Sequence, residues 1–303
     1  MEGKDLEEFR SGFVTIIGRP NVGKSTLMNN ILGEKIAIMS SKPQTTRNKI
    51  HGIHTTENSQ VIFLDTPGVH RPKNKLGEFM VSSAMNTLKE VDLVLFLVDD
   101  SKKIGPGDKY LIDQLSNVKT PIILVINKAD LLDPEDLRAI VENYKEYDFF
   151  EDIIAISALE NKNVDFLLGK ISDYMVEGPM YYPSDMITDQ PERAIVSEII
   201  REKLLMYLDQ EIPHGVAVEI ETMKKRGNKD IVDIQATIVC ERDSHKGIII
   251  GKNGRKLKGI GKSSREEIER LLGSKVFLEL WVKVRSNWRD SDALLKNFGY
   301  RQD

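Results

Sequence analysis

The chain has 303 residues, 40% of them hydrophobic and 30% charged, with a net charge of −4 and a single cysteine, Cys240. One cysteine excludes an internal disulfide framework and fits a reducing compartment, and the longest apolar runs fall well short of the roughly 18 residues a membrane helix needs. The charge is unevenly divided: residues 1–194 hold 22 Lys and Arg against 30 Asp and Glu, whereas residues 195–303 hold 21 against 17, which points the basic half toward a polyanion.

In chain order, the first ten residues are acidic and polar and do not read as a signal peptide. Short runs rich in Val, Ile and Leu at 13–17, 61–64, 93–98, 122–126 and 153–156 predict strands. Continuous rather than alternating runs suit strands covered on both faces of a mainly parallel sheet. Amphipathic stretches at 24–32, 76–89, 109–115, 134–144 and 164–174 predict helices between them. The alternation predicts a doubly wound α/β domain over 1–178 with a mostly parallel six-stranded sheet. Pro179, Pro183 and Pro191 mark 179–193 as a linker. A helix at 194–209, a hairpin of strands at 216–223 and 231–240, a glycine-rich basic stretch at 247–260, a helix at 262–272 and a strand at 275–284 then predict a second, α+β domain over 194–303. Cys240 and Trp281 both read as core residues of that domain.

Strand 13–17 runs into Gly18-Arg19-Pro20-Asn21-Val22-Gly23-Lys24-Ser25, followed by Thr26 and a helix. Strand, glycine-rich turn and helix are the context a phosphate-binding loop requires. Gly18 and Gly23 free the backbone to aim N–H groups at phosphate, and the helix adds its positive end. Lys24 would set an ammonium against the β- and γ-phosphates, and Ser25 a hydroxyl on Mg²⁺. Asp65-Thr66-Pro67-Gly68 closes strand 61–64, where Asp65 would serve the metal and Gly68 would bring its N–H to the γ-phosphate. In the intervening loop, Thr46, in preference to Thr45, is the expected third metal ligand, so Lys24, Thr46 and Gly68 are the catalytic candidates.

Asn127-Lys128-Ala129-Asp130 follows strand 122–126. A carboxylate at Asp130 can accept from guanine N1–H and the exocyclic amine, whereas adenine offers an acceptor there and no amine. Asn127 would reach the base or brace the phosphate loop, the Lys128 stem would cover the ring, and Ser157-Ala158 would supply an N–H to the guanine oxygen. Four motifs in order, each at a strand's carboxyl end, imply GTP and GDP rather than ATP. A nucleotide kinase or ATPase is the reading that Asp130 opposes.

With the Gln44-Thr45-Thr46-Arg47 loop and the segment 241–254, the motifs make the chain resemble the Era family of bacterial GTPases over nearly its whole length. The resemblance implies a GTPase domain, a type II KH domain, binding to the 3′ end of small-subunit ribosomal RNA during subunit maturation, and a cytoplasmic protein with weak peripheral association at the inner membrane face. A monomer is expected. Gly251-Lys252-Asn253-Gly254 is then the GXXG loop, which in KH domains approaches about four single-stranded nucleotides. Lys246, Ile250, Arg255 and Lys258 are the neighbouring RNA candidates, with the apolar groove expected from 248–250 and strand 231–239. A signalling GTPase docked on an anionic membrane or protein is the alternative that the basic cluster allows.

Val69 stands where a water-orienting glutamine is found in Ras-type enzymes, which predicts slow intrinsic hydrolysis. His70 beside it reads as a solvated loop residue. Asn21 matches a position that helps hold a potassium ion in related GTPases, so K⁺ is an expected cofactor beside Mg²⁺.

Overall fold

The computed structural model describes residues 9–38, 47, 49–68, 72, 74–208 and 212–300. The chain divides chiefly between Asp189 and Gln190 into two compact units.

In the first unit, β1 (Arg10–Ile17), β3 (Ser59–Asp65), β4 (Leu93–Val98), β5 (Ile122–Ile126) and β6 (Asp152–Ala155) form the parallel sheet, with β2 (Ile50–Thr55) antiparallel on the outer side of β3. The order is β2-β3-β1-β4-β5-β6. The expected six strands are joined by a seventh, the two-residue β7 (Val176–Glu177), which pairs with Arg10 and Ser11 at the start of β1. Both its residues are exposed, so it left no hydrophobic signal in the sequence.

The helices are α1 (Lys24–Leu32), α2 (Lys75–Thr87), α3 (Pro106–Leu115), α4 (Pro134–Lys145) and α5 (Val164–Asp173). Helix α3 begins three residues earlier than its apolar pattern, because Pro106 presets the first turn and Asp108 accepts from the Gly105 N–H at 3.4 Å. Side chains of one strand alternate between two cores. Leu95 and Leu97 pack with Leu27, Leu167 and Ile171, while Phe96 and Val98 pack with Leu111, Leu115 and Ile140. Both sheet faces are therefore sealed, and the carboxyl ends of the strands are left to the loops.

The segment 179–189 is fastened to the outer edge of this sheet. The Ile53 N–H donates to Ile187 O at 2.9 Å, and Thr188 Oγ1 donates to His51 O at 2.7 Å. Gln60 and the Tyr182 backbone exchange two bonds of 2.9 Å.

The second unit runs α6 (Glu192–Tyr207), β8 (Ala217–Lys225), β9 (Ile231–Cys240), α7 (Asp243–Ile250), α8 (Arg255–Leu272), β10 (Lys275–Val284) and α9 (Asp292–Asn297). Its sheet has β9 in the centre, antiparallel to β8 and parallel to β10. Helices α6, α7 and α8 place Val196, Ile200, Ile249, Ile260 and Ile268 against Ile220, Ile234 and Ile238. They pack on one face only. Trp281, expected in the core, is 60% exposed, because alternate positions of β10 point away from the helices. Trp288 is the buried indole instead: it is 0% exposed, its Nε1 donates to Gly215 O at 2.9 Å, and its ring meets Phe298 edge-on. Cys240 is buried as expected, and burial pushes its thiol pKa up.

Replacing Trp288 by alanine should cost the second unit about 3–5 kcal/mol. Urea unfolding of the full chain, followed by far-UV circular dichroism, should show the early loss of one transition with the nucleotide-stabilised transition unmoved.

Candidate functional site

The phosphate loop lies between the end of β1 and the start of α1. Two of its glycines admit no side chain. A Cβ on Gly18 would stand 2.3 Å from Leu97 O, and one on Gly23, at φ 105°, would stand 2.1 Å from the Asn127 amide nitrogen. Asn21 also sits at positive φ, 68°. Helix α1 carries no side-chain N-cap, and its positive N-terminal end suits an anion.

Lys24 is buried, and its ammonium donates to Gly18 O at 3.1 Å and to Arg19 O at 2.9 Å. Burial lowers its pKa to about 8, against the charge of Asp65, which works in the opposite direction. A bound phosphate would stabilise the ammonium that burial disfavours. Ser25 Oγ lies 3.0 Å from Asp65 Oδ2, so the two expected metal ligands are adjacent. Oxygen donors of this kind suit Mg²⁺. Thr26 follows, half-buried in the first turn.

The Asp65–Gly68 turn is locked from below by the buried Thr66 hydroxyl, which donates to Ile16 O at 2.9 Å. Thr66 thus holds its loop to β1 through its side chain. Gly68 abuts the phosphate loop, where an added Cβ would be 3.1 Å from Pro20. Thr45, Thr46, Val69 and His70 lie outside the described residues.

Asn127 joins the two halves of the pocket. Its Nδ2 donates to Val22 O at 2.8 Å, and its Oδ1 accepts from the Ala158 N–H at 2.9 Å. The Ala158 N–H is thus engaged by Asn127. Ser157 exchanges backbone bonds of 3.0 Å with Lys162 and accepts from the Glu160 N–H at 3.1 Å, which tightens that loop. Lys128 adopts left-handed geometry at φ 62°, and Asp130 is exposed on a short 3₁₀ turn.

The Arg19 side chain turns from the phosphate loop to two carboxylates. Its Nε contacts Asp108 at 2.6 Å and its Nη2 contacts Asp99 at 2.9 Å. Lys128 Nζ lies 3.7 Å from the same Asp99 and 3.4 Å from Asp100. Burial raises the pKa of Asp108, with Arg19 opposing. Burial also works to raise that of Asp99, but the Ser101 hydroxyl, Arg19 and Lys128 outweigh it and hold Asp99 below the usual range. Sequence reasoning missed Asp99 and Asp108. Their signal was the acid pair ending strand 93–98 and the Gly-Pro-Gly-Asp start of α3.

In the second unit the GXXG loop joins α7 to α8. Gly251 and Gly254 sit at φ 70° and 72°, and Asn253 at 53°. A Cβ on Gly251 would press on Lys256 at 2.7 Å, whereas Gly254 faces open space. Lys252, Asn253, Arg255 and Lys258 are exposed, while Lys246 and Ile250 are half-buried. Beside the loop lies a groove of about 660 Å³, with Leu257, Leu278 and Leu280 as its apolar lining and Lys258, Lys262 and Arg265 as its basic rim. Its wall is therefore β10 and α8 rather than strand 231–239. That strand is central, and Ile234 and Ile238 are fully buried. Helix α8 starts at residue 255, not 262, since Gly259 and Gly261 disguise its first turns.

Residues 13–128 match the family model described as 50S ribosome-binding GTPase, and residues 211–289 match that of the KH domain. GTPase Era of Alkaliphilus metalliredigens is 65% identical over 292 residues, covering 96% of this chain and 99% of the relative. That of Clostridioides difficile is 64% identical over 293 residues, with the same two coverages. Aquifex aeolicus Era bound to GDP and AlF₄⁻ superposes with a TM-score of 0.92 at 41% identity, covering 97% of this chain and all of the other. An Era complex with MgGDPNP and nucleotides 1506–1542 of 16S ribosomal RNA also gives 0.92, at 42% identity and the same coverages.

The buried ammonium sets a pH dependence. Lys24 is charged below its pKa of about 8 and binds phosphate in that form, and the bound state has the higher pKa. Affinity for a nucleoside diphosphate should therefore hold up to about pH 7 and fall as pH rises through about 8, by up to roughly tenfold per unit. Fluorescence titration with a labelled diphosphate across that range reads it.

Proposed function

Because the chain belongs to the Era family of GTPases, we propose that it is a guanine-nucleotide switch that binds single-stranded RNA at the 3′ end of small-subunit ribosomal RNA and assists small-subunit assembly. It hydrolyses GTP to GDP and phosphate. The observation that carries the nucleotide reading is the Asn127 side chain, whose two bonds couple the phosphate loop to the 157–158 loop in one rigid pocket.

Each group then has a task. The Lys24 ammonium and the α1 amides neutralise the β- and γ-phosphates, and Gly68 offers an N–H to the γ-phosphate. Ser25, Thr46 and Asp65 would hold Mg²⁺, which stabilises charge on the phosphate oxygens. Asp130 selects guanine, with the Lys128 stem over the ring. Val69 cannot align the attacking water, so backbone groups, a moved loop or a partner must do so, and intrinsic turnover is slow. Asn21, in the phosphate loop at positive φ, is the residue that would help hold a K⁺ ion, which would supply positive charge to the transition state.

The RNA reading rests on the GXXG loop, its basic neighbours and the groove between α8 and β10. Lys252, Arg255 and Lys258 add salt-dependent affinity, and the groove selects bases. GTP closes the loops around Thr46 and Gly68 and changes access to RNA, and hydrolysis permits release. The switch runs through Asp189, since the expected linker residues 179–189 pair with its sheet, and the RNA module follows from Gln190. The protein acts as a cytoplasmic monomer. Weak attachment at the inner membrane face would use its basic surface, since among the described residues no helix is long and apolar enough to cross a membrane.

A competition titration tests the pocket: unlabelled GTP should displace labelled GDP, and ATP in about hundredfold excess should not. Equal displacement would refute guanine selection. Single-turnover hydrolysis should run faster in KCl than in NaCl at equal ionic strength, and identical rates would remove the K⁺ assignment.

A further inference from the structure

The sheet of the second unit is covered on one face only, and its open face is not featureless. Strand β10 presents Phe277 and Trp281 there, 49% and 60% exposed, about 13 Å apart along the strand. The register sets Phe277 beside Asp233, Glu279 beside Gln235, and Trp281 beside Thr237. Strand β8 adds Thr222 next to Gln235 and Lys224 next to Asp233.

At the Phe277 end these residues form a trough of about 380 Å³, lined by Thr222, Lys224, Arg226, Gln235, Phe277 and Glu279 among others. The Arg226 guanidinium lies 5.1 Å from the Phe277 ring centre and is ion-paired with Asp233. Gln235 Nε2 donates to Glu279 Oε2 at 2.8 Å. Gln235 and Glu279 together bring donor and acceptor groups to the edge of an aromatic platform, and Lys224 and Lys225 stand at the rim. That chemistry fits an unstacked nucleobase with its phosphate. It does not fit an apolar helix, because polar residues separate the two rings.

The trough and the RNA groove lie on opposite faces of β10. On the same edge strand, Leu278 and Leu280 line the groove while Phe277, Glu279 and Trp281 face the other way. A strand leaving the groove past the outer edge of β10 needs only to cross one strand's thickness. The groove itself takes about four nucleotides.

We propose that this open face is a second RNA site, in which Phe277 and Trp281 stack unpaired bases of the same strand beyond those held in the groove. The proposal rests on the RNA-binding reading above.

The chain contains two tryptophans, and Trp288 is fully buried, so a change in indole emission on RNA addition reports Trp281. The full chain would be titrated with single strands of 16S 3′-end sequence, one of about four nucleotides and one of about twelve. The longer strand should quench the emission and the shorter should not. Phe277→Ala and Trp281→Ala should each weaken the longer strand about fivefold or more, leave the shorter unchanged, and leave thermal stability near wild type. Trp281→Phe should restore the affinity. Unchanged affinity for the longer strand in both alanine variants, or equal losses on both strands, would overturn the proposal, as would a protein partner whose binding these variants abolish while RNA affinity stays intact. Wild-type protein that binds neither strand would instead refute the RNA reading itself, and this site with it.

Discussion

Asn127 holds the nucleotide pocket together. It sits at the carboxyl end of β5, buried, and reaches the phosphate loop with one end of its amide and the 157–158 loop with the other. The same amide is why residue 23 is glycine, since a Cβ there would collide with it. The triphosphate and the base are far enough apart to need separate loops, and the Asn amide, with donor and acceptor on two separate atoms, can reach one with each end. Leucine at this position would fill the space and leave Val22 O and the Ala158 N–H without these partners, at a cost of about 1–3 kcal/mol each if both stayed buried.

A second brace runs beside the first. Arg19 is anchored by Asp99 and Asp108, and Asp99 is shared with Lys128. The carbonyl of Arg19 is also one of the two that hold the Lys24 ammonium. The phosphate cradle is thereby tied by charge to the loop expected to carry the base. Its carboxylates and cations share partners, so the cradle is held by a network and not by one pair.

Most of the first unit was legible because its sheet is covered on both faces. Runs such as Leu93–Val98 are apolar at every position and cannot be mistaken for loop. β2 escaped notice because His51, His54 and Thr55 break its apolar pattern on an edge strand, and β7 because two exposed residues carry no pattern at all. In the second unit the element order held as far as β10 and the short α9 went unseen, while Gly259 and Gly261 hid the start of α8, and an apolar-looking strand concealed the outward face of Trp281. The phosphate and base motifs were readable as text. The turn of Arg19 toward Asp99 and Asp108 was not, because residues 80 and 89 positions apart meet only through the parallel register of β1 and β4.

The pairing of residues 182–189 with β2 and β3 bears on how this molecule can be taken apart. A fragment cut after Gly178 would strip the Ile187 carbonyl from Ile53 and both Tyr182 bonds from Gln60, baring a strand edge and an amide that had been satisfied. Bare edges recruit strands from neighbouring molecules. A piece carried on to Asp189 keeps that hem closed, so the workable seam for dissecting the two units lies after the hem, and clumping of the shorter piece would reflect the cut and not the fold.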